Sequence, residues 1–137
     1  MNKYLTISVL SGMLLAGASC KKVDDGDYCM TPDAPARKVR YELFTNRDFS
    51  GNQDTIRFDL VMARAEALIF DSALAPMRIE DIPDSLHRII MEKLVPDGIP
   101  DSLAVGFNYA IDDVGFSGFK DIFPAGDTLK IVRFSFD

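Results

Sequence analysis

Between residues 38 and 62 the chain alternates apolar and polar positions with period two. Val39, Tyr41 and Leu43 fall on one side of an extended segment, and Lys38, Arg40 and Glu42 fall on the other. In "DTIRFDLVM", Ile56, Phe58, Leu60 and Met62 share a face opposite Thr55, Arg57 and Asp59. "SLAVGFNYAID" repeats the pattern: Leu103, Val105, Phe107, Tyr109 and Ile111 alternate with Ser102, Ala104, Gly106, Asn108 and Ala110. A helix would scatter these apolar residues around its circumference, whereas a strand gathers them on one face. Each segment therefore reads as a half-buried strand, with Tyr41 and Tyr109 pointing inward.

Weaker patterns fill the gaps. "ALIFDS", 67–72, reads as a strand entered by a tight connection at 64–66, and Met77 and Ile79 read as a short strand ending before Pro83. Segment 88–94, "RIIMEKL", fits a strand over a helix because the Pro96-Asp97-Gly98 turn follows it, and it is expected to form a hairpin with 102–111. In "TLKIVRFSF", Leu129 and Ile131 fit one register and Val132, Phe134 and Phe136 the other, which suggests a β-bulge near 131–132 or, alternatively, a strand covered on both sides. The Gly-rich run "DDVGFSGFKDIFPAGD" reads as a long connection holding a short strand near 114–120. No strand–helix–strand rhythm appears. The expected fold is all-β, an antiparallel immunoglobulin-like β-sandwich of about seven strands spanning 37–137. The likeness to immunoglobulin domains is architectural only, since the chain has no Trp and no cysteine pair in that region.

The pentapeptide "IPDSL" occurs at 82–86 and again at 99–103. Pro fixes φ and cannot donate to a ladder, while Asp and Ser bond to nearby backbone. Both copies read as corners before an element rather than as a ligand motif.

The N-terminus carries an address. Lys3 precedes an uncharged apolar stretch, Leu5 to Ala18, that is shorter than the ~20 residues a spanning helix needs and suits a secretory signal. Two processing routes follow from it. Leu14-Leu15-Ala16-Gly17-Ala18-Ser19-Cys20 resembles a bacterial lipobox, departing from it at Gly17, where a Leu-like residue is usual. The segment that follows, with Lys21, Lys22, Asp24, Asp25 and Asp27, resembles the lysine-then-acidic export signal of Bacteroidota surface lipoproteins. The whole layout is similar to small lipoproteins of that group: signal over 1–19, lipidated Cys20 and flexible linker over 20–36, then one sandwich. That resemblance implies a membrane anchor at Cys20, an outer-membrane, cell-surface location, and no catalytic motif. On the other route, Ala16-Gly17-Ala18 is an ordinary cleavage site, and the product is a soluble secreted or periplasmic chain in which Cys20 and Cys29 are free to pair.

Composition narrows function further. Removing the signal leaves about 117 residues, the size of one domain. The formal charge of −6 falls by one, to −7, when Lys3 leaves with the signal. Nothing basic is concentrated, so nucleic acid is not an expected partner. His87 is the sole histidine, and no G-x-S-x-G elbow accompanies any serine, so no catalytic residue is assigned. One His and two Cys do not furnish a zinc site, and the acidic runs at 24–27 and 112–113 lack EF-hand spacing, so no metal or cofactor is assigned. Phe116, Phe119 and Phe123 read first as residues that fold back and plug an open end of the sandwich, with an exposed partner patch as the other reading. The functional expectation is a non-enzymatic, lipid-anchored binding or scaffolding domain facing an envelope protein or glycan. Its alternatives are a glycan-binding accessory lipoprotein and a strand-adding, pilus-like structural subunit.

Overall fold

The computed structural model describes residues 35–137. Cys20, the export segment Lys21, Lys22, Asp24, Asp25 and Asp27, and Cys29 lie outside the described residues. Eight strands follow in order: β1 (Lys38–Thr45), β2 (Thr55–Arg64), β3 (Ala67–Ala73), β4 (Met77–Arg78), β5 (Ile89–Leu94), β6 (Leu103–Ile111), β7 (Gly115–Phe123) and β8 (Leu129–Phe136). One sheet has the order β5-β1-β8, and the other β3-β2-β6-β7 with the two-residue β4 on β2. The protein is an all-β sandwich, and every pairing is antiparallel except β1–β8, which is parallel.

The clean alternations sit where one face is buried. Val39, Tyr41 and Leu43 of β1 meet Ile56, Phe58, Leu60 and Met62 of β2 and Leu103, Val105 and Phe107 of β6 in one core. Removing side chains of this size from water stabilises each by roughly 1.5–3 kcal/mol. Aromatic rings knit the layers: Tyr41 stands edge-on to Phe107 at 5.5 Å, and Phe58 packs edge-on to Phe136 at 6.2 Å. The buried Tyr41 hydroxyl donates to the Val61 carbonyl across the sandwich at 3.0 Å, and burial pushes its pKa far above the ordinary tyrosine value.

Four expectations change. Segment Ile89–Leu94 is a strand, but it pairs with β1 rather than forming a hairpin with β6. Adjacency in sequence does not choose the sheet, and a chain that crosses between layers finds its partner elsewhere. The Gly-rich run holds no long connection; it forms the nine-residue β7, in register with β6 throughout. β8 has no bulge: its register against β1 runs unbroken from Leu129 to Phe136. Val132, Phe134 and Phe136 turn inward, and Leu129 and Ile131 lie on the outer face beside Arg133. Met77 and Ile79 do not share a strand, because the chain turns into a 3-10 helix at Ile79–Asp81 after β4.

One glycine decides how close two strands come. A Cβ on Gly106 would overlap the Phe119 carbonyl oxygen and crowd the Lys120 Cα, both backbone. At Gly118 the nearest obstruction is Asn108 Oδ1, the end of a side chain that rotates, with the Phe107 carbonyl oxygen next at 3.3 Å. Gly106→Ala is therefore expected to destabilise the domain by about 2 kcal/mol, and Gly118→Ala by much less. Urea denaturation of the two variants beside the parent checks this, and equal midpoints would contradict it.

Candidate functional site

β7 reaches its place through a tight turn. Asp113 adopts φ 62° and Gly115 φ 139°, and the Val114 N–H donates to the Ile111 carbonyl at 3.2 Å. β7 then runs back along β6, with Phe107 opposite Phe119 and Ala110 opposite Phe116. The Phe119 carbonyl lies against Gly106, so the backbone groups of odd-numbered residues face β6. Those of Phe116, Gly118, Lys120 and Ile122 face the opposite way, along the sheet edge. The Ile122 N–H conforms to this: it donates to its neighbour's Asp121 Oδ1 at 2.7 Å rather than to the ladder.

The three candidate phenylalanines do not share one surface. Phe116 projects from the outer face of the sheet and is 70% exposed, and Ile122, further along the same face, is 64% exposed. Phe119 points inward and stacks on Phe134 at 5.7 Å, half-covered at 37% exposure. Phe123 is fully buried, with the Arg37 guanidinium 4.3 Å above its ring. Phe123 thus belongs to the core, and Phe116 is the exposed member, with Ile122 as a companion that sequence reading missed. The signal was available in "FSGFKDIF", where Ile122 lies six residues from Phe116 and so on its face.

The edges of the two sheets are not alike. Sheet edges invite pairing with other chains and are commonly blunted by bulges, charges or covering segments. β3 carries a register shift at Met62/Ala63 and has few buried residues. β5 is charged by Glu92 and Lys93 and stops at Pro96. β8 carries Lys130 and Arg133, and Lys130 reaches Asp121 of β7 at 2.6 Å. This ammonium and the Ile122 N–H hold the Asp121 carboxyl below the usual carboxylate range. β7 has no bulge and no proline, and among the described residues it pairs only with β6.

Among the described residues, the other candidate groups serve as local structure. His87 is exposed, and its Nδ1 lies 2.9 Å from Asp84 Oδ1, which also accepts from the Leu86 and His87 backbone N–H groups. That is the first "IPDSL" acting as a corner. In the second copy the Asp101 carbonyl accepts from Arg37 and the Ser102 hydroxyl accepts from the Ala125 N–H at 3.1 Å. The same five residues end with Leu86 in solvent and Leu103 in the core, which fits punctuation and not a shared ligand. Arg37 donates to four carbonyls, of Asp127, Ile99, Asp101 and Pro124, at 2.8–3.0 Å, and so ties the start of β1 to two loops. A depression of about 320 Å³ beside it is lined by Pro35, Arg37, Val95, Pro96, Ile99 and Pro100 among others. The guanidinium that borders it is already committed to those carbonyls. Among the described residues no three His, Cys, Asp or Glu side chains converge as a metal would need.

No protein-family model, curated protein or solved structure matches this chain.

The outer face of the β5-β1-β8 sheet holds one buried acid. The Glu42 side chain is 6% exposed and accepts from Arg88 at 3.0 Å and Arg133 at 3.1 Å. Burial pushes its pKa up, but the two guanidiniums outweigh burial and hold it below the ordinary glutamate value. A depressed folded pKa means the ionised form stabilises the domain above the unfolded value of 4.5, and the benefit is lost as pH falls through the lower folded value. Glu42→Gln is expected to cost about 1–2 kcal/mol at pH 7, since the arginines are themselves partly in solvent. The deficit should shrink at pH 3, and a pH-independent deficit in urea denaturation would contradict the ion-pair account.

Proposed function

We propose that this protein is a non-enzymatic binding or scaffolding domain, held at the cell envelope by a lipid on Cys20. It engages a protein partner by accepting an extended strand along the edge of β7. The observation that carries this reading is the edge itself. Four backbone positions of β7 face away from β6, and Phe116 and Ile122 stand in solvent on the outer face beside it. Main-chain hydrogen bonds supply affinity in such strand addition, and the flanking side chains supply selectivity. The glycan-binding reading has less support, because Tyr41 is buried and Tyr109 packs against Phe58 and Phe134. Neither tyrosine offers an open aromatic platform.

The lipid anchor rests on the pattern from Leu14 to Cys20, and the surface location on the lysine-then-acidic segment after it. Cys20→Ala is expected to move the protein from the membrane fraction to the soluble one. Retention in the membrane would remove Cys20 as the anchor.

A photo-cross-linking amino acid at position 116, introduced into the full chain in its native cells, is expected to give a discrete protein adduct. Lys120→Pro should abolish that adduct while keeping the domain folded, because the N–H it removes faces the edge and not β6. A folded protein that gives no adduct from position 116 would overturn the binding site.

A further inference from the structure

We infer that the strand added to β7 is β7 of a second copy of this chain, antiparallel across a twofold axis at Phe119. The inference rests on the strand-addition reading above and names the partner.

Three features of β7 point to it. The first is register. Only residues 116, 118, 120 and 122 present backbone groups to the edge, so an added antiparallel β7 must pair even positions with even positions. A slip of one residue would also turn every side chain to the wrong face. The second is length. Phe119 is the central residue of Gly115–Phe123, so an axis there pairs all nine residues with none left over. The third is charge. Moving the axis to Lys120 would set two ammonium groups directly opposite each other, which is unfavourable in a cross-strand pair. With the axis at Phe119, Lys120 lies opposite the other copy's Gly118, where there is no side chain to oppose it.

The same register joins the exposed apolar groups. Phe116 of one copy lies opposite Ile122 of the other, twice by symmetry, on the outer face where both stand in solvent in the single chain. Cross-strand aromatic and β-branched pairs of this type stabilise antiparallel sheets. On the inner face Phe119 meets its own equivalent, and the Ser117 hydroxyl lies opposite the Asp121 carboxylate. The Ile122 N–H that Asp121 now holds would pass to the Phe116 carbonyl of the other copy, and Asp121 would accept from Ser117 in exchange. The contact is isologous and closes on itself, so it yields a dimer and not a filament. The four-strand path β3-β2-β6-β7 on each side becomes, at twice four, one continuous sheet of eight strands.

The test uses the full chain purified in detergent, with the protein mass measured by light scattering across a concentration series. The expected mass is twice that of one chain, falling to one chain on dilution. Phe116→Lys and Ile122→Glu, both at exposed positions, should each give the mass of one chain. A single chain carrying both substitutions should regain the doubled mass, because the introduced charges face each other only when Phe119 lies on the axis. A single-chain mass at every concentration, single variants that stay dimeric, or a double variant that stays monomeric would each overturn self-pairing. The position-116 adduct separates this outcome from failure of the broader reading. An adduct with a different protein leaves strand addition standing and removes the second copy as its partner, whereas no adduct removes both.

Discussion

The β5-β1-β8 sheet depends on one strand. β5 and β8 do not pair with each other, and the only ladder of each is with β1. β1 therefore has to be fixed on both faces. Inward, Val39, Tyr41 and Leu43 are wholly buried, and the Tyr41 hydroxyl reaches across to the Val61 carbonyl. Outward, Glu42 draws Arg88 from the approach to β5 and Arg133 from β8 onto one carboxylate. At its start, Arg37 bonds to carbonyls of the β5–β6 and β7–β8 loops. The sheet that looks sparse, with three strands, is tied down at its central member by an apolar stripe, a shared acid and a guanidinium.

The opposite sheet follows another rule. β2 and β6 are central and fill the core, and β7 is brought in so closely at Gly106 that no side chain fits between the backbones. β7 keeps an unbroken register along β6, with apolar groups on both faces and no bulge. A strand built this way has little of its own area in the core, and Phe123 under Arg37 is its one fully buried member. Phe119 is half-covered against Phe134, and Phe116 and Ile122 face solvent beside the open edge.

Much of the fold was legible in the chain. Ile56 to Met62 and Leu103 to Ile111 alternate because each strand has one wet face and one dry face. β7 was not legible for the same physical reason: Phe116 and Ile122 fall on one face and Phe119 and Phe123 on the other, so period two vanishes. β8 misled for a related cause, since Leu129 and Ile131 occupy an outer face where apolar side chains lie among the charges of Arg40 and Arg133. The partner of β5 and the parallel β1–β8 pairing depend on contacts between segments far apart in sequence, which local pattern does not encode. Of the candidate site, the phenylalanines were found but not their separation into a core member and an exposed group.

The parallel pairing has a mechanical consequence. β1 and β8 run in the same direction over eight residue pairs, from Lys38 beside Leu129 to Thr45 beside Phe136. A pull applied to the start of β1 and the end of β8 therefore acts along the strands and not across them. The load falls on the whole ladder in shear, and the bonds must yield together rather than open one after another from an end. A hairpin pulled from its open ends would unzip; this pair, with Tyr41 and Arg37 bracing β1, resists as a clamp.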